Sequence, residues 1–264
     1  MLRRNGIGVL VLWVLGVLLQ DTAHATVDRE TLLSEAGVYG TFVVFQVNED
    51  WWKLDQASRR VAAAEIKGVI RKHGERVAID TYLLRGLTEK ADFFVRVHST
   101  ELMSNQNFLV DLMGTTLGTY LKNTVTFNGI AKKANYVPGF PADLQAALKT
   151  PPDPGPKPYA IVIPIRKDAD WWLLDQEART NLMQEHAAAT VPYLKAVKRK
   201  LYHATGLDDV DFITYFETAT PADFNNLVIG LERTRENRHN KRFGNPTILG
   251  TIRPLDEILD ILTH

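Results

Sequence analysis

The chain has 264 residues and no cysteine. That absence excludes disulfides, zinc–thiolate sites, iron–sulfur clusters and thiol nucleophiles together. An excess of either charge is also missing, because 31 Lys and Arg stand against 31 Asp and Glu. Nucleic-acid-binding domains are normally strongly basic, so this balance argues against one. No glycine-rich phosphate loop, nucleophile elbow, dinucleotide fingerprint or H-E-x-x-H pair occurs. The hydrophobic share of 45% and charged share of 23% are those of an ordinary globular protein and exclude wholesale disorder. Any chemistry must therefore use other side chains or a borrowed cofactor.

Residues 1–25 read MLRRNGIGVLVLWVLGVLLQDTAHA. Arg3 and Arg4 form a basic start, Ile7 to Leu19 an apolar run, and Ala23-His24-Ala25 a small-x-small cleavage pattern. The run is shorter than the roughly 20 residues that span a bilayer. An export signal cut after Ala25 is expected, with the mature chain periplasmic and not inserted in a membrane. Its removal leaves 29 basic and 30 acidic residues, still close to neutral.

What is present is a sequence written twice. Asp50-Trp51-Trp52-Lys53-Leu54-Asp55-Gln56 matches Asp170-Trp171-Trp172-Leu173-Leu174-Asp175-Gln176 at an offset of 120. Tyr82 matches Tyr202, and Gly86-Leu87 matches Gly206-Leu207, at the same offset. Between the copies lies TPPDPGPKP, a composition that breaks helix and strand alike. The chain divides into a signal at 1–25, an N-terminal half at 26–150, a linker at 151–158 and a C-terminal half at 159–264. In the first half, strands are expected near 38–47, 77–85, 92–98 and 124–131, with helices near 56–72 and 105–121. In the second, strands fall near 159–165, 198–203, 211–217 and 247–252, with helices near 176–189, 221–238 and 255–262. Each half reads β-α-β-β-α-β, the ferredoxin-like unit. The fold class is α+β, two tandem ferredoxin-like repeats of the dimeric α+β barrel type.

Duplicated halves share the residues that fold them, so their differences point to function. Ile66 in the first half becomes His186 in the second, on an apolar helix face with Leu182 and Met183. A core histidine that merely finds a hydrogen bond is the alternative, but the first half shows that this position packs well with isoleucine. Arg199 alternates onto one strand face with Leu201 and His203. An arginine among inward positions needs an anion or carboxylate to offset its burial. A single buried histidine without cysteine suits one-point attachment of a metal already chelated elsewhere, and haem asks the protein for one axial ligand.

The run KRKLYHATGLDDVDFITYFE, preceded by QEH and joined to the Asp-Trp-Trp segments, resembles the chlorite dismutase family in its longer, exported lineage. The resemblance covers essentially the whole mature chain. It implies a haem b protein of two ferredoxin-like halves with haem only in the C-terminal half, assembled as a homopentamer. It implies conversion of chlorite to chloride and dioxygen. By motif match it makes His186 the proximal iron ligand, Glu236 its hydrogen-bond partner and Arg199 the catalytic distal arginine. Lys167, Trp171 and Tyr136 are then expected around the haem and its propionates, with Trp172 packing beside them. Phe243 stands where some members carry tryptophan. Rival readings are a periplasmic haem-binding protein without turnover, and a coproporphyrin-haem decarboxylase or haem peroxidase of the same fold.

Overall fold

The structure is a computed structural model that describes residues 27–133 and 135–264. The export-signal reading at 1–25 lies outside the described residues. The first half opens with helix α1 (Arg29–Ser34), then β1 (Tyr39–Val47), α2 (Gln56–His73), β2 (Ala78–Leu83), β3 (Phe93–Ser99), α3 (Leu102–Met113), β4 (Leu121–Ile130) and α4 (Ala142–Ala147). The second runs β5 (Tyr159–Lys167), α5 (Ala169–Leu173), α6 (Gln176–Thr190), β6 (Val197–His203), β7 (Phe212–Thr218), α7 (Pro221–Glu232), β8 (Asn240–Phe243), β9 (Ile248–Ile252) and α8 (Leu255–Thr263). Residues 151–158 hold no regular structure.

The duplication recurs in local chemistry. Asp55 and Asp175 cap their helices by accepting from Ser58 N at 2.9 Å and Ala178 N at 2.7 Å. Gly86 and Gly206 turn the chain at φ 91° and 79°, a region where a Cβ is strained, which is why both copies keep glycine. Asp92 receives Val47 N at 2.8 Å, and Asp211 receives Lys167 N at 2.8 Å. The offset falls to 119 beyond the turn at 208–211, because that loop is one residue shorter in the second half.

Both halves have the strand order 4-1-3-2, and β2 pairs with β9 while β4 pairs with β6. The two sheets thereby close into one barrel. Its interior packs Phe42, Phe94, Phe127, Tyr82, Tyr202 and Tyr215. Helices cover the outer faces unequally. In the first half α2, α3 and α8 seal the sheet with a broad core that includes Trp51, Ile66, Phe108, Leu117, Ile258 and Leu262. In the second, the corresponding core is reduced to Ile161, Ile163, Val197, Phe216, Leu227 and Leu231.

Three sequence expectations change. The helices expected to reach 121 and 238 stop at Met113 and Glu232, each followed by a 3-10 turn, Leu117–Tyr120 and Arg235–His239. The first of these turns requires Gly118, where a Cβ would lie 2.3 Å from Leu112 O. The fourth strand of the second half is split into β8 and β9, where Gly244 and Asn245 take positive φ of 73° and 56°. The last helix, drawn from the second half, packs on the first: Trp51 Nε1 donates to Leu262 O at 2.7 Å. Among the described residues no helix is long and apolar enough to cross a membrane.

Candidate functional site

Superposing the halves by offset exposes the site. Val47, Ile66 and Leu117 lie within one apolar cluster, 6%, 1% and 0% exposed. Their counterparts are Lys167, His186 and Glu236, and the structure brings these three together. His186 Nδ1 lies 3.1 Å from Glu236 Oε2. An ionised carboxylate only accepts, so the ring N–H sits on Nδ1 and Nε2 keeps its lone pair. The Lys167 ammonium ion-pairs with Glu236 Oε1 and donates to Asn240 Oδ1 at 2.7 Å. It also stands 4.4 Å from the Trp171 ring centroid. Lys167 is buried and committed to this carboxylate, which places it behind His186 instead of at a solvated edge.

Each member is delivered by a separate element. Lys167 ends β5, His186 lies on α6, and Glu236 is the buried residue of the 3-10 turn, not on the helix expected there. Burial first, with Lys167 and Arg199 adding repulsion, pushes the His186 ring down to about 4. The imidazole is therefore neutral at ordinary pH. Ile165, Leu231 and Phe243 line a small pocket against it, so Phe243 faces the site.

Arg199 approaches from the sheet. Alternation puts Arg199, Leu201 and His203 on one face, and this is the outer face toward α6, opposite the barrel interior where Tyr202 is buried. Its Nη1 donates to Thr190 Oγ1 at 2.6 Å, one helical turn beyond His186. The matching first-half residues, Ile70 and Ile79, flank the apolar core there. Tyr136 arrives from the segment between β4 and α4, just before a 3-10 turn at Val137–Gly139. That turn meets α6, since a Cβ on Gly139 would stand 3.1 Å from Thr180 Cγ2. Burial raises the Tyr136 hydroxyl pKa and the Arg199 charge opposes the rise.

The two second-half tryptophans separate. Trp171 is buried beside His239, ring centroids 5.8 Å apart. Trp172 is 44% exposed and stacks on Phe212 with centroids 6.3 Å apart. Sequence reasoning missed Asn240 and Thr190 as partners of Lys167 and Arg199. Comparison at offsets 119 and 120 carried that signal, because Ile70 and Leu121 of the apolar first-half core correspond to Thr190 and Asn240. Among the described residues no cluster of three or more His, Asp or Glu could hold a metal ion by itself.

The family model described as chlorite dismutase matches residues 59–253. A chlorite dismutase of Ideonella dechloratans is 44% identical over 242 residues, covering 91% of this chain and 85% of that protein. A coproheme decarboxylase of Mycolicibacterium smegmatis is 25% identical over 193 residues, covering 71% of this chain and 76% of that one. The solved structure of chlorite dismutase from Candidatus Nitrospira defluvii in complex with imidazole superposes with a TM-score of 0.88 at 55% identity, covering 90% of this chain and all of that one.

Proposed function

The chain belongs to the chlorite dismutase family, and from that premise we propose that it is a haem enzyme decomposing chlorite to chloride and dioxygen at the C-terminal half. The observation that carries this reading is the chain Lys167–Glu236–His186, set where the first half has three apolar residues. A polar trio with Lys167 and Glu236 buried, in place of a good hydrophobic cluster, does not serve packing. It leaves one neutral imidazole nitrogen free, which fits a group that brings its own chelate and needs a single axial ligand. Haem b is the form assigned, with His186 as iron ligand and Trp171, Trp172 and Tyr136 around the macrocycle. Bound there, the iron supplies the oxygen chemistry of chlorite decomposition.

The protein's own residues do the rest. Glu236 accepts the Nδ1 proton and makes the imidazole a stronger electron donor. Lys167, itself held by Asn240, pairs with that carboxylate. Arg199 stays protonated and offers several donors, so it attracts a small oxyanion and keeps oxychlorine fragments beside the reacting centre. Holding both fragments together supplies the proximity that oxygen–oxygen bond formation needs. It also limits escape of a strong oxidant, in keeping with a chain free of cysteine. The export-like pattern of residues 1–25 and the family resemblance support a periplasmic location and a homopentamer.

The test is gas evolution. Haem-loaded protein mixed with chlorite in an oxygen electrode is expected to release one dioxygen per chlorite consumed. A haem-loaded sample that evolves none defeats the reading and favours a haem carrier, or a decarboxylase like the more distant relative.

A further inference from the structure

The 3-10 turn that carries Glu236 is held at both ends, and the two holds differ in kind. At its end, Asp168 N donates to His239 O at 2.9 Å. Asp168 Oδ1 also lies 3.1 Å from His239 Nδ1. At its start, Glu185 grips Arg235 twice, accepting the backbone N–H at 3.1 Å and the guanidinium Nε–H at 2.6 Å. Glu185 is the neighbour of His186 on α6, and Arg235 is the neighbour of Glu236 on the turn. One carboxylate therefore ties the backbone of the imidazole to the backbone of its acceptor.

The first half contains the same device without the chemistry. Glu65, next to Ile66, accepts Thr116 N at 2.7 Å and Thr116 Oγ1 at 2.8 Å, and Thr116 precedes Leu117. Asn48 N donates to Tyr120 O at 2.9 Å at the far end of that turn. There the clamp joins two apolar residues whose relative position need only fill space. In the second half the same clamp spans a 3.1 Å hydrogen bond, where a small displacement changes how strongly the carboxylate pulls on the ring proton.

We infer that Glu185 is a positioning residue, setting the His186–Glu236 hydrogen bond and through it the electron donation of the proximal imidazole. This rests on the haem reading above. Glu185 makes both contacts to Arg235 with one carboxylate. Because it touches neither His186 nor the pocket, it acts through the turn. The Asp168 contacts at the far end of the turn and the barrel are untouched by its replacement, so the variant is expected to fold.

The experiment compares haem-loaded wild type with Glu185→Ala, Glu185→Gln and, as the matched control, Glu65→Ala. Readouts are the ferric/ferrous midpoint potential, the iron–histidine stretching frequency of the ferrous form, and the rate of haem loss to an acceptor. Glu185→Ala is expected to raise the potential, lower the stretching frequency and speed haem loss by about tenfold, the lower end of what outer partners of a metal ligand contribute. Glu185→Gln keeps an acceptor for the Arg235 N–H and should restore most of each value. Glu65→Ala should lower thermal stability and leave all three at wild type. The inference is overturned if Glu185→Ala matches wild type in potential and frequency, or if Glu65→Ala moves them equally. Should wild type itself bind no haem through a histidine, the functional reading falls first, and this inference with it.

Discussion

At the scale of residues the site is a set of replacements. Replacing Glu236 with leucine, the residue of the first half, leaves Lys167 buried beside apolar neighbours. That uncompensated charge is expected to cost about 3–5 kcal/mol in chemical denaturation. The double change Lys167→Val with Glu236→Leu restores the first-half pair, and should recover most of the loss while abolishing normal haem spectra. If the double variant is as unstable as the single, the comparison between halves is not the right guide. His186 makes a second prediction. With its ring pushed down to about 4, protons compete with iron for Nε2 only near that pH. An ordinary imidazole would begin to protonate near 6.5. Haem retention should persist from neutral pH to about 5 and fail as pH approaches 4, which a Soret titration checks. Arg199→Ala should keep haem and lose about tenfold or more in kcat/KM, the worth of one charge-assisted hydrogen bond. Unchanged kinetics and durability would remove the role given to the arginine.

Elements explain which parts of this are legible in the sequence. The Trp pairs, the Asp caps and the glycine turns repeat because folding needs them twice, so the period announced both halves and their β-α-β-β-α-β order. The histidine was legible because isoleucine stands at the same point in the other copy. The lysine and glutamate were equally visible as replacements of Val47 and Leu117, but the one-residue shortening near 208–211 hides the second match. Helix ends at Met113 and Glu232 were not legible, since Leu117, Tyr120 and Leu121 keep helical spacing beyond the first and no glycine or proline follows the second before Asn240, while tertiary contacts impose 3-10 geometry. The crossing of α8 onto the other half could not be read from periodicity at all. Its packing carries a prediction: Leu262→Ala empties a fully buried position. It is expected to cost about 2–5 kcal/mol with no change in haem spectrum, because the cavity lies in the half without the site. Coincident loss of haem at low denaturant would show that the halves are less separable than their cores suggest.

For the whole molecule, one closed barrel carries two unlike coats. The first half uses three helices to seal its sheet, and the second has a smaller core, with Arg199 on the sheet bonded to Thr190 one turn beyond His186 on α6. Neutral net charge says little about the local charge at Lys167, Glu236 and Arg199. The central claim is that duplication produced one equipped half and one packed half. Titrating haem into the ligand-free protein, with saturation followed at the Soret band, tests it most directly. Wild type should saturate at one haem per chain, and His186→Ile should show no histidine-ligated spectrum. Two haems per chain, or undiminished binding by His186→Ile, would contradict the account.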